Sequence, residues 1–206
     1  MAVFAACRRL VLSVLAVLLL APAAIEARAA EGPTGFIQDL GDKAVLIIND
    51  HALTKAESRA KFATLFEASF DVAGIAQYVL GHYWEHATDQ EHDEYLGLFR
   101  RYIVGLYSGR FASYSGEKFH VLDAHEDGDA TMVASELTGG ANGQVTHIDW
   151  LVRSTPEGFR IGDVVLDQVS LEAAQRAEFT SIIVHGDGSI ATLIAALRDK
   201  LSHPQD

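Results

Sequence analysis

The chain has 206 residues, enough for one globular domain with room for a small second lobe, and 49% of them are apolar, enough to build a core without staples. Its 28 acidic against 16 basic residues give a formal charge of −12, which opposes nucleic acid and standing adsorption to anionic membrane faces, since both need clustered lysine and arginine. Cys7 is the only cysteine and falls in the first thirty residues, so the sequence behind them offers no thiol, disulfide or cysteine metal ligand.

Those first residues read as a leader. Arg8 and Arg9 precede an apolar run from Leu10 to Leu20, and Ala27-Arg28-Ala29 fits a small-x-small cleavage site. This predicts a signal peptide over 1–29 and a mature chain from about Ala30. As a membrane span the run is short, and Pro22 follows it. Lipid attachment would need a cysteine at the end of the run, whereas Cys7 lies before it. Cleavage would remove three arginines and one glutamate, lowering the charge by two to −14.

From there to residue 115 the pattern is helical. Phe36, Leu40, Ala44, Ile47 and Ile48 keep one apolar stripe. Thr54 to Glu57 reads TKAE, a capping box, with Phe62, Leu65, Phe66, Ser69 and Phe70 behind it. Asp71 suits the cap of a short helix to Leu80, which Gly81 stops. A second box, TDQE at Thr88 to Glu91, opens the longest helix. Its inner face reads Tyr95, Leu98, Phe99, Tyr102, Ile103, Leu106 and Tyr107.

Over 116–206 the period changes. Alternation predicts strands near 118–125, 130–137, 144–153 and 159–168, separated by the turn sequences EDGD, TGGANG and TPEG. A helix capped by Ser170 follows from Leu171 to His185. A last one carries Ile190, Leu193, Ile194, Leu197 and Leu201, with Gly186 and Gly188 between the two. Helices first and then a four-strand meander predict an α+β fold: a curved antiparallel sheet packed on helices, the segments 30–115 and 116–206 forming one unit.

Few residues suggest chemistry. His82 and His86 in HYWEH would share a helical face, but Gly81 and Thr88 put them in a connector, and no H-E-x-x-H pattern supplies a third ligand. No G-x-S-x-G elbow or P-loop is present. The best acid–base candidates are His147, Asp149 and Asp163. Because Ile148, Trp150 and Val152 alternate with the first two, all three are expected on the solvated face.

Two stretches carry a resemblance. FDVAGIAQYVLGHYW followed by EYLGLFRRYIVGLYSGRF, and the ending from THIDWLVRSTPEGFRIGDVVLDQVSLEAAQRAEF to GDGSIATLIAALRDK, resemble the MlaC or toluene-tolerance family of periplasmic phospholipid-binding proteins. The likeness spans essentially the whole sequence after the leader. Phe159 stands where that family usually has tryptophan, Gln168 where it often has glycine, and His82 and His86 at positions commonly basic or polar. A branch of the family is associated with hopanoids.

The resemblance implies a nuclear-transport-factor-like core with a helical lobe, tails between sheet and helices, and no catalysis or cofactor beyond bound lipid cargo. It implies a monomer ferrying phospholipid between an outer-membrane lipoprotein–porin complex and an inner-membrane ABC transporter with its lipid-binding ring. An isomerase or dehydratase on the same cavity scaffold is the alternative. A third possibility is a structural adaptor with a closed core.

Physical chemistry asks much of a lipid carrier. Two acyl chains of some thirty methylenes are worth roughly 25 kcal/mol of apolar contact, so the lining must be extensive. The candidates on the helices are Tyr78, Leu80, Phe99, Tyr102, Ile103 and Leu106, with Tyr83 and Trp84 at the rim, where an apolar body with a polar tip suits the head-group boundary. Those on the strands are Val133, Ile148, Trp150, Val152, Val164 and Leu166.

Overall fold

The caps that the sequence offers are used in the structure, a computed structural model that describes residues 32–111, 118–139 and 145–203. Helix α1 (Pro33–Asn49) begins with proline at its first position, where a missing N–H costs nothing. Ahead of α2 (Lys55–Ser69), Thr54 Oγ1 accepts the Glu57 N–H at 3.2 Å while the Glu57 carboxylate accepts the Thr54 N–H at 2.8 Å. The same reciprocal pair, Thr88 with Glu91, opens α5 (Asp89–Phe111). Asp71 accepts the Gly74 N–H at 2.9 Å to start α3 (Val72–Leu80).

Gly81 ends α3 at φ 60° and ψ −133°, a conformation closed to ordinary side chains, and a Cβ there would also run into the Arg176 guanidinium. The connector after it is not irregular. Residues His82–His86 form one helical turn, α4, between that glycine and Thr88.

Strands β1 (Lys118–Asp127), β2 (Ala130–Thr138), β3 (Thr146–Thr155) and β4 (Gly158–Leu166) pair in sequence order, all antiparallel. The expected start of β3 at Gln144, and most of the turn before it, lie outside the described residues. Single extra residues at Leu122 and Gly162 break the register, and such bulges bend a sheet.

A fifth strand, β5 (Val169–Ser170), adds to the four expected. The chain reaches it through Asp167 and Gln168, both left-handed at φ 46° and 72°, the signature of a tight two-residue hairpin turn. Thus β4 ends at Leu166 and does not run on to Gln168. Ser170 then caps α6 (Leu171–His185), accepting the Ala173 N–H at 3.0 Å, and α7 (Ile190–Ser202) ends the fold.

Most buried apolar side chains among the described residues form two clusters. One is helical: Phe62, Phe66, Val79, Tyr95, Phe99 and Phe179 lie among the apolar faces of α2, α3, α5, α6 and α7. In it Tyr95 donates to the Ala76 carbonyl at 2.9 Å, and burial pushes the phenol pKa up. The other lies under α1, where Ile37 and Leu40 cover Val133, Val152 and Ile161 of the sheet. Phe159 packs here against Phe36, ring centroids 5.9 Å apart, so it serves as an apolar aromatic. A short bridge ties helices to sheet: Phe70 pairs with Ile161, and the Asp71 N–H donates to the Ile161 carbonyl at 2.9 Å. No helix among the described residues is long and apolar enough to cross a membrane alone.

Gln168 holds a left-handed conformation that costs an ordinary residue about 1 kcal/mol or more. Gln168→Gly should therefore stabilise the fold by about 0.5–1 kcal/mol, read as a higher urea midpoint with unchanged slope. A lower midpoint would mean that the glutamine side chain contributes more than its backbone strain removes.

Candidate functional site

Between the two clusters lies a cavity of about 240 Å³. The sheet supplies Phe119, Leu137, Ile148, Trp150, Val164 and Leu166, all from the end of the sheet where β1 and β3 begin. Leu40, Ala44, Val45 and Ile48 face it from α1, at helical spacing. The third wall is Phe62, Leu65 and Phe66 of α2, Ile75 and Val79 of α3, and Phe99, Ile103 and Tyr107 of α5. Gly41 also belongs to the lining. A Cβ there would strike the Phe119 ring, so its absence lets that ring lie against α1.

Trp150 is a fixed wall. Its Nε1 donates to Ser135 Oγ at 2.8 Å, Ser135 donates to the Ile148 carbonyl at 3.0 Å, and Phe119 meets the indole nearly edge-on, centroids 6.3 Å apart. With rotation blocked from both sides, it borders the space without collapsing into it.

Four polar side chains belong to the lining: Asn49, Asp163, Glu172 and Gln175. Asp163 is well partnered. Its Oδ2 accepts the Ser170 hydroxyl at 2.6 Å, and its Oδ1 accepts the N–H groups of Val164 at 2.7 Å and Glu172 at 3.0 Å. It joins β4, the β5 cap and the first turn of α6, where a negative charge is favoured. Gln175 is buried and donates to Glu178 at 3.0 Å. Glu172 differs: half-buried, it makes no side-chain hydrogen bond among the described residues. Desolvation first, and then the charge of Asp163, push its carboxyl up to about 7, against the pull of Arg153 and Arg176.

Six of the expected lining residues meet at this cavity: Phe99, Ile103, Ile148, Trp150, Val164 and Leu166. The others do not. Val133 and Val152 are sealed under α1, at 0% and 1% exposure, because Ile37 and Leu40 cover that part of the sheet. Leu80 is buried in the helical cluster, and Leu106 is half-buried but outside the lining. Tyr102 packs on Phe179 with Lys200 over its ring. Tyr78 is largely exposed beneath the Arg176 guanidinium, 4.9 Å from its ring centre.

Nor are Tyr83 and Trp84 a rim. Both pack on the helical cluster from outside, Trp84 stacked on His92 at 3.9 Å while His92 Nε2 donates to the Trp84 carbonyl at 2.8 Å, and Tyr83 against His82. Sequence reasoning missed the α1 and α2 walls, although their stripes were visible, because a stripe does not reveal its neighbour.

The acid–base candidates do not converge. His147 is exposed, and its N–H donates to Asp167 at 3.3 Å; Asp149 is half-buried and pairs with Ala134 and Val165. Asp163 was expected on the solvated face, yet it lines the cavity. It pairs with Leu151, out of phase with Trp150 and Val164, and its bond from the Glu172 N–H holds it at the start of α6, where it joins the lining. Among the described residues no three His, Cys, Asp or Glu side chains gather as a metal site.

Two outcomes follow. Trp150→Ala should cost the lipid-free protein well under the about 3–5 kcal/mol of Phe179→Ala, since Trp150 borders a space while Phe179 is packed on all sides; equal losses in denaturant unfolding would count against an accessible cavity. Glu172 holds its proton more tightly folded than unfolded, so its contribution to stability is present below pH 4.5 and is lost as pH rises to about 7. Wild type should decline over that window relative to Glu172→Gln, and parallel pH profiles would place this carboxyl in contact with bulk water.

Comparison with known proteins gives a structural likeness and a family match. In solved structures the fold resembles the phospholipid-binding protein of Ralstonia solanacearum, determined in complex with a phospholipid, with a TM-score of 0.73 at 17% identity over 84% of this chain and 98% of that one. The likeness extends to the α+β architecture of sheet and helices just described. The sequence profile of the MlaC protein matches residues 38–199, most of the chain, and the protein belongs to the MlaC family.

Proposed function

We infer that this protein is a lipid carrier which shelters phospholipid acyl chains in the cavity between its two clusters. The cavity itself carries the reading. At about 24 cal/mol per Å³, 240 Å³ of unfilled apolar space would cost roughly 6 kcal/mol. A domain has only about 5–15 kcal/mol of stability in all. Such a space is tolerable when an apolar occupant fills it. An apolar cavity of roughly 150 Å³ takes up benzene, and this one is larger.

Methylene chains are the occupant class that fits, because the walls are almost wholly aliphatic and aromatic. Membership of the MlaC family and the phospholipid in the related solved structure support phospholipid as the cargo.

The finer reading places the protein in the periplasm after removal of residues 1–29, carrying lipid between an outer-membrane lipoprotein–porin complex and an inner-membrane ABC transporter. The leader pattern and family membership support it. The enzymatic alternative has one observation in its favour, the raised pKa of Glu172 in a cavity wall. Its neighbour Asp163 is committed to three hydrogen bonds, which argues against its serving as the paired acid or base.

Organic extraction of the purified protein followed by mass spectrometry should find phospholipid. Leu166→Glu, which puts a carboxylate in the wall, should abolish that load while the protein still unfolds cooperatively. Val152→Glu, inside the sealed sheet cluster, should prevent folding. Absence of copurifying lipid, together with no uptake from phospholipid vesicles, would overturn the carrier reading.

A further inference from the structure

We propose that Glu172 is a polar anchor for the cargo inside the cavity, its neutral carboxyl donating a hydrogen bond to the ester carbonyl of a sheltered acyl chain. The inference rests on the carrier reading and assigns a ligand contact to one side chain. Glu172 lines the cavity, is half-buried, and has no hydrogen-bond partner on its carboxyl among the described residues. Its polar neighbours Asp163 and Gln175 are already engaged. Asp163 already accepts from Ser170, Val164 and Glu172's own N–H, while Gln175 is turned to Glu178. A carboxylic acid in an apolar wall is costly unless its O–H finds an acceptor.

The charges around it are mixed. Asp71 at the α3 cap and Asp163 on β4 disfavour ionisation, whereas Arg153 on β3 and Arg176 on α6 favour it; desolvation adds to the first pair and the neutral form gains. A neutral acid is a donor, which an ionised one cannot be. On a phospholipid the acceptors closest to the methylenes are the ester carbonyls. The phosphate is the poorer match, since an anion would have to enter an apolar space beside Asp163.

The test compares an ester-linked with an ether-linked phosphatidylcholine of equal chain length, which differ in the carbonyl. Binding of each is measured on delipidated protein at about pH 6 and about pH 8.5, on either side of the Glu172 transition. Wild type should prefer the ester lipid about three- to tenfold at the lower pH, the worth of one neutral hydrogen bond, and less at the higher. Glu172→Met should lose the preference. Glu172→Gln, a permanent neutral donor, should show it at both pH values.

Equal affinity of wild type for the two lipids at about pH 6 overturns the proposal and leaves the carrier reading standing. So does a preference that survives in Glu172→Met. Failure of wild type to bind either lipid would remove the carrier reading and the anchor with it. Should the methionine variant not fold, the pH-independence of the glutamine variant decides.

Discussion

A cavity lined by apolar side chains persists only if its walls are held by something other than each other. Left to the hydrophobic effect alone, a sheet and a set of helices collapse together and the space disappears. Here each wall has its own support. Ile37 and Leu40 of α1 seal one end of the sheet over Val133, Val152 and Ile161. The helical wall is braced from behind by Phe179, Ile183, Leu193 and Leu197 of α6 and α7. The two are clasped at one side, by the Phe70–Ile161 bridge and by Asp163, whose bonds from the Ser170 hydroxyl and the Glu172 N–H fix the start of α6 to β4. Clasped there and separately packed elsewhere, the walls can stand apart over the length of the cavity.

The clasp also explains the odd chemistry of the wall. Asp163 accepts the Glu172 N–H at the start of α6 and the Ser170 hydroxyl. Glu172, the second residue of the same helix, stands in the field of that charge and at the edge of an apolar space. Burial first, and then the charge of Asp163, push the Glu172 carboxyl toward neutrality. The arrangement needs no unusual residue types, only Asp163 held at the helix start by the Ser170 hydroxyl and the Glu172 N–H.

Much of the fold was legible because it is specified locally. Thr54 with Glu57, Thr88 with Glu91, Asp71 and Ser170 each satisfy backbone N–H groups within three residues, so their role can be read without knowing the neighbours. The two-residue β5 was hidden, since Asp167-Gln168 lacks the glycine that usually advertises a left-handed turn. The site was legible only in part. Trp150 and Val152 share the inward period of β3, yet one borders the cavity and the other is sealed. Alternation tells which way a side chain faces; the path of α1 across the sheet decides what it meets. Asp163 keeps the alternate period, paired with Leu151, yet the start of α6 brings a cavity wall to it, which no strand pattern records.

Helix α5 shows what a closer look at spacing could have recovered. Its apolar face is wider than a helix packed on one neighbour needs, and the structure divides it in two. Tyr95, Leu98 and Tyr102 belong to the side packed toward α6 and α7, with Tyr102 against Phe179. Phe99, Ile103 and Tyr107, each four residues on, form a second stripe along the cavity. Phe99 joins the two, touching Tyr95 and Phe179 with its ring while still reaching the lining. A helix that must brace a core and border a space at once needs both stripes, one fixed by close packing and the other left for an occupant to complete. The surplus of apolar width is therefore the sequence trace of the cavity, and it lies in the spacing of residues and not in their number.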